Sequence, residues 1–168
     1  MSERSLWHDV RAFTDAHLAG HQHIDPWGFD RTVYDLAARA AELRWRVEVT
    51  GGGHVPVTGP ALLVLAEMSP VTSPAVVAVG VHRATGRRVR PVGIPDVAVL
   101  GPLLRRLGGV LDAPAELRGL LRAGEVLAVR GQHPGAVDAA QRAGAPVLEV
   151  QVRGHDWGWA WHVDVQRG

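Results

Sequence analysis

Residues 61–74 read ALLVLAEMSPVTSP. The first five, Ala61-Leu62-Leu63-Val64-Leu65, carry no interposed polar residue, so they predict a strand buried on both faces. A polar turn follows, and the proline at position 74 suits the first turn of a helix over Ser73–Val81. A strand covered on both sides needs layers of helix above and below it. The stretch therefore points to an α/β domain with a mainly parallel sheet flanked by helices.

The neighbouring segments keep that rhythm. Arg31–Arg44 repeats apolar residues at Val33, Leu36, Ala37, Ala40 and Leu43, with Asp30 placed to cap the helix start. Trp45–Val49 alternates with period two, as a strand with one wet face does, and Gly51-Gly52-Gly53 breaks it. Further on, Arg88–Ile94, Val126–Arg130, Pro146–Val152 and Trp159–Val165 read as strands. Val97–Leu107, Ala115–Arg122 and Ala136–Ala143 read as helices, the last two stopped by Gly124 and Gly144. Upstream, Glu3–Ala19 has helical spacing, so two N-terminal helices are expected. Residues 1–28 form a helix and connector, and 29–168 a single domain.

Composition narrows the function classes. The chain has 168 residues, 46% hydrophobic and 21% charged, with a net charge of +1, which gives no general case for nucleic acid. All 18 basic residues are arginine, so a Schiff-base or phosphate-loop lysine is excluded. With no cysteine there is no thiolate chemistry or disulfide framework. No apolar run reaches the ~20 residues of a transmembrane helix, and the N-terminus lacks a signal-peptide core. A cytoplasmic protein is the expectation.

Four phrases occur in a recognisable order. Trp45–Gly51 with His54-Val55-Pro56 and Gly59–Val64 comes first, and Ile94-Pro95 through Leu100–Val110 second. Leu120–Val129 is third and Gly144–Val147 fourth. Together they resemble the core of the phospholipid/glycerol (lysophospholipid) acyltransferase superfamily over roughly Arg44–Gly154. The resemblance implies an acyltransferase-like α/β fold. It also implies an active site after the strand at 61–65, where the family carries a histidine and an aspartate. There the histidine deprotonates an acceptor hydroxyl and the aspartate orients it.

This chain aligns Glu67 with that histidine and Thr72 with that aspartate. The arginine that closes the second block in the family is missing from Val110–Pro114. Arg130-Gly131-Gln132 replaces the third block's Pro-Glu-Gly turn, and Glu149 replaces the fourth block's second proline. Every block keeps its apolar frame and changes its polar residues. The expectation is a catalytically degenerate member that survives as a ligand-binding or interaction module. One alternative is a repurposed acid/base enzyme with Glu67 and His133 as its catalytic groups. The other is an acyl-CoA-dependent glycerolipid acyltransferase with a non-standard base.

Ser69, Thr72, Arg130 and Gln132 are the candidate ligand contacts around that mouth, and a Glu67–Arg130 ion pair is the structural alternative. Trp157, Trp159 and Trp161 alternate, so one strand would place all three indoles on one face, as a ligand platform or as packing. The ligand class is a small molecule or an acyl or lipid group. His17, His21, His23 and Asp25 form a His-x3-His-x-His-x-Asp cluster that could ligate zinc or nickel. His17 and His21 share a helix face only if the helix runs past Gly20, so a solvated connector is expected and neither a cofactor nor a metal is implied. Gly51-Gly52-Gly53 lacks a following helix and reads as a plain turn. Arg87-Arg88-Val89-Arg90 reads as a solvated basic turn, with peripheral contact to anionic lipid as its functional alternative. Family members usually continue past the fourth block. An ending at Gly168 would leave an apolar edge with tryptophans uncovered, which favours a homo-oligomer or a protein partner.

Overall fold

Burial along the strands sorts them into two kinds, and the architecture follows from that. The computed structural model describes residues 24–66, 72–98, 100–154 and 158–168. In chain order the elements are α1 (Arg31–Arg44), β1 (Arg46–Thr50), a 3₁₀ turn (Gly52–His54), β2 (Ala61–Leu65), α2 (Thr72–Thr85) and β3 (Val89–Pro91). Then come α3 (Leu100–Arg106), α4 (Pro114–Arg122), β4 (Val126–Arg130), α5 (Pro134–Arg142), β5 (Val147–Gly154) and β6 (Ala160–Arg167). The expected helix over Glu3–Ala19 lies outside the described residues.

The strands form a six-stranded sheet in the order β1-β6-β5-β2-β4-β3. The pairs β1–β6, β5–β2, β2–β4 and β4–β3 are parallel, and β5–β6 is antiparallel. The mainly parallel α/β expectation is met. The single antiparallel pair has a simple origin: only the short segment 155–159 separates β5 from β6, too little chain for a parallel crossover.

β2 and β4 are buried on both faces, and their sequences ALLVL and VLAVR are almost wholly apolar. On one face Leu63, Leu65 and Ala128 join Val76, Val77 and Val81 of α2. On the other, Leu62, Leu127 and Val129 pack on Leu117, Leu120 and Leu121 of α4 and on Ala136, Ala139 and Ala140 of α5. β1, β5 and β6 alternate instead. Val47, Leu148, Val150, Val152, Trp161, Val163 and Val165 face the α2 side. Arg46, Glu48, Thr50, Glu149, Gln151 and Arg153 are exposed on the opposite face, where His162 and Asp164 are half-buried.

α2 lies close over this wing because Gly80 carries no side chain. A Cβ there would stand 2.7 Å from Val47 Cγ1 and 3.0 Å from Val49 Cγ2. Gly51 makes the turn after β1 in the left-handed region, φ 68°, and a Cβ would collide with the Val165 carbonyl. Asp30 caps α1 as expected, its Oδ1 accepting from the N–H groups of Thr32 and Val33.

Two sequence expectations change here. The basic turn is not solvated. Arg87 donates to the carbonyls of Pro56, Gly59 and Gly124 at 2.8 Å each. Arg88 grips Asp35 of α1 through two hydrogen bonds, which raises the guanidinium pKa further. Arg90 is fully buried, with Nη1 2.7 Å from Asp25 Oδ2 and its guanidinium 5.0 Å from the Phe29 ring centroid. The entry into β3 crosses the packing of α1 and the 25–29 turn, so these cations meet partners that the linear pattern does not display. Asp25 is correspondingly occupied, its other oxygen accepting from the N–H groups of Trp27 and Phe29.

Among the described residues the uncovered face of the wing is also polar rather than apolar, because its large apolar strand residues turn toward α2, apart from Val147, which joins the core on the α4–α5 side. Among the described residues no helix is long and apolar enough to cross a membrane.

Candidate functional site

Strands β2, β3, β4 and β5 all run the same way, so their C-terminal ends share one edge of the sheet. Open α/β sheets hold ligands at that edge. The ends of β2 and β4 meet there: Leu65 and Arg130 are register partners, and the Gly131 N–H donates to the Leu65 carbonyl at 2.8 Å. Ala66 N–H donates to Val150 on the other side. The chain therefore leaves β2 between the ends of β4 and β5.

A cleft of about 550 Å³ opens at this edge on the α2 side. Its walls come from α1, the start of α2, the segment after β3, and α3. They include Ala37, Ala41, Ala75, Ala78, Ile94 and Leu104, with Arg130 as the charged residue of the lining. The volume falls within the usual range for small-molecule sites. Space exists because facing helical turns present small side chains. Ala37, Ala38 and Ala41 of α1 and Pro74, Ala75 and Ala78 of α2 all border it. In the sequence Ala37 stands out only as one apolar helix position among several, and Pro74 as a first-turn proline. The available signal was the uniformly small size of the bordering side chains at helical spacing.

Tyr34 also borders the cleft at the foot of α1, where it packs edge-on against Phe29 and His82. Burial pushes its phenol up to about 12, against weaker opposing effects of the Val89 backbone and the Arg88 guanidinium. Its hydroxyl is enclosed by protein and has no hydrogen-bond partner at good geometry.

The sequence-predicted residues divide. Arg130 is exposed and lines the cleft, while Gln132 is exposed on the same turn. Glu67, Ser69 and Trp157 lie outside the described residues, and so does the proposed Glu67–Arg130 pair. Thr72 opens α2. His133 caps α5: its Nδ1 accepts from the Ala136 N–H at 3.1 Å. An imidazole accepting at Nδ1 carries its proton on Nε2, and Nε2 lies 3.0 Å from Asp112 Oδ2. Both ring nitrogens are engaged, which leaves no lone pair for a general base.

The tryptophans do not share one environment. Trp161 is in β6 and 3% exposed, against the α2 core, whereas Trp159 precedes the strand and is 65% exposed. Arg44 lies over the Trp159 ring, 4.6 Å from its centroid, and donates to the Gly158 carbonyl. Position 159 sits in a bend just before the strand, outside the helix-covered core that encloses Trp161. Among the described residues no group of three His, Cys, Asp or Glu side chains is placed to hold a metal.

Comparison with known proteins bears on the fold. No protein-family model matches the chain, and the search of curated proteins finds no match. Among solved structures, it is similar to the 1-acyl-sn-glycerophosphate (LPA) acyltransferase PlsC from Thermotoga maritima, at TM-score 0.53 and 17% identity. The fold is acyltransferase-like. The match covers 80% of this chain and 66% of PlsC, so the chain spans just under two thirds of that protein's length. At this identity the likeness speaks for the backbone arrangement. The chemistry must be argued from this chain's own residues.

Proposed function

We propose that this domain is a non-catalytic ligand-binding module that takes a molecule with an apolar, acyl-like body and an anionic head. The observation that carries the reading is the cleft. Its walls are apolar, its volume is about 550 Å³, and Arg130 stands in its lining at the C-terminal edge of the sheet. An apolar body would be driven in by burial, and a guanidinium would orient a carboxylate or phosphate.

Two features favour binding over catalysis. The turn after β2 contains no histidine and no aspartate, and Glu67 there is a weak base for an alcohol. The imidazole after β4, that of His133, caps a helix and pairs with Asp112. An acid/base enzyme built on Glu67 and His133 would have to break that cap first. An acyltransferase with a non-standard base has the fold in its favour, but the residues lining the cleft include no carboxylate and no imidazole.

The test is titration with a fatty acid and its uncharged methyl ester, followed by calorimetry. The expected result is saturable binding of the acid. Ala75→Trp, which fills the cleft from a half-buried position, should abolish it. Arg130→Gln should weaken the acid about tenfold and leave the ester unchanged. Absence of binding by either ligand, with the protein folded, would sink the reading. In parallel, acyl-CoA with lysophosphatidate should release no thiol, and sustained release would instead establish a transferase.

A further inference from the structure

The two lateral edges of the sheet are finished differently. β3 is three residues long and ends in Pro91, which has no N–H to offer. The segment at Val110 then closes over that end, its N–H donating to the Pro91 carbonyl and its carbonyl accepting from Gly93. β1 has five residues and no proline, and among the described residues it pairs only with β6. The Arg46 N–H donates to Trp159, and the parallel ladder continues through Glu48 and Thr50. By strand alternation Val47 and Val49 direct their N–H and C=O groups to the open side. Such an edge is a template for another strand.

The side chains say which strand fits. Arg46 and Glu48 flank Val47 on the exposed face of the sheet, a cation on one side and an anion on the other. Reversed, the same segment presents the anion where the cation stood. We propose that β1 pairs antiparallel with β1 of a second copy of this chain, about a two-fold axis through Val47. In that register Val47 of each copy exchanges hydrogen bonds with its counterpart. Arg46 of one copy stands opposite Glu48 of the other, twice over, in the closely spaced type of cross-strand pair.

On the covered face Trp45 stands opposite Val49, so apolar meets apolar. The neighbouring register, centred on Glu48, would oppose two glutamates and lose both ion pairs. The order of charges therefore selects one symmetric arrangement, and the result is a single sheet continuous across two copies.

Sedimentation equilibrium from about 10 µM to about 1 mM protein tests this, across a range chosen for a weak, small interface. The wild-type mass should rise from monomer to dimer, and amide exchange at Val47 and Val49 should slow as dimer forms. Arg46→Glu and Glu48→Arg should each weaken the dimer about tenfold, since each replaces attractive pairs with like charges. The double variant R46E/E48R should restore it, because the pairs re-form with signs exchanged. Both positions are exposed, and unchanged melting temperatures would establish that the variants fold. A monomer at every concentration overturns the proposal. So does a dimer indifferent to the single reversals, or a double variant as weak as the singles.

Discussion

The β2–β4 half of the sheet and the β5–β6–β1 wing belong to one sheet but are held by different means. In the first, helices cover both faces: Leu62 and Leu127 meet α4 and α5, while Leu63 and Leu65 meet α2. In the second, among the described residues, the α2 side is covered, and beyond Val147 the other face is a polar lattice. There the Thr50 hydroxyl donates to Asp164 at 2.7 Å, and Gln166 donates to the same carboxylate at 2.6 Å. The doubly covered half is where the cleft and the strand ends converge, so rigidity is concentrated where a ligand would sit. Among the described residues the wing offers an unpaired edge and a solvent-facing surface, which suits association with another copy.

If that division holds, truncation should cost far more in one half than in the other. Leu127→Ala, at a fully buried site, should lose about 2–5 kcal/mol by denaturant titration, while Gln151→Ala on the wing's open face should stay within about 0.5 kcal/mol. Similar losses at the two positions would break the comparison.

Alkaline pH probes the helix layer over the covered face. Tyr34 has its phenol raised from 10.0 to about 12 by burial, so the folded state holds the proton more tightly than the unfolded state. That stability is complete below pH 10 and drains away as pH rises toward 12, by about 3 kcal/mol. Tyr34 is the chain's one tyrosine, so phenolate absorbance reports on it alone. Tyr34→Phe should remove this part of the alkaline loss.

The wing should still have one sensitive point at its turn. Gly51→Ala forces a side chain into φ 68° and against the Val165 carbonyl, and should cost about 1–3 kcal/mol although it lies far from the cleft. Fatty-acid affinity should not change.

The smallest effect belongs to Asp164. The Thr50 hydroxyl and then the Gln166 amide hold its carboxyl below the usual value. Its contribution is present above the unfolded pKa and lost as pH falls through the lower folded one. The carboxylate is solvent-exposed, so Asp164→Asn should only slightly flatten the acid limb of the stability curve.

Much of the fold was legible because its signals are local. The uninterrupted ALLVL reads as a strand hidden on both faces, and Trp45–Val49 alternates as a strand with one wet face does. Asp30 before an amphipathic run announces a cap. The candidate site was legible only in part. Arg130 could be placed at a strand end from the pattern VLAVR followed by glycine. The engagement of His133 could not, because its partners are a backbone N–H three residues on and Asp112 from a different connection. The same limit applies to Arg88 and Arg90, which looked like a solvated basic run. Their partners Asp35 and Asp25 are more than 50 residues away in the chain.

By itself, then, the amino-acid sequence determined the α/β class, the element order, which strands are doubly covered, and the absence of a histidine after β2. Those properties depend on hydrophobic period, capping residues and residue identity, each readable within a few positions. The tertiary structure alone decided that the alanines of α1 and α2 leave a cleft beside Arg130. It alone decided that Trp161 is core while Trp159 is exposed, and that β1, among the described residues, ends the sheet with an unpaired side. These depend on which segments meet after the chain has folded, and the packing that brings them together is not encoded in the spacing of any one of them.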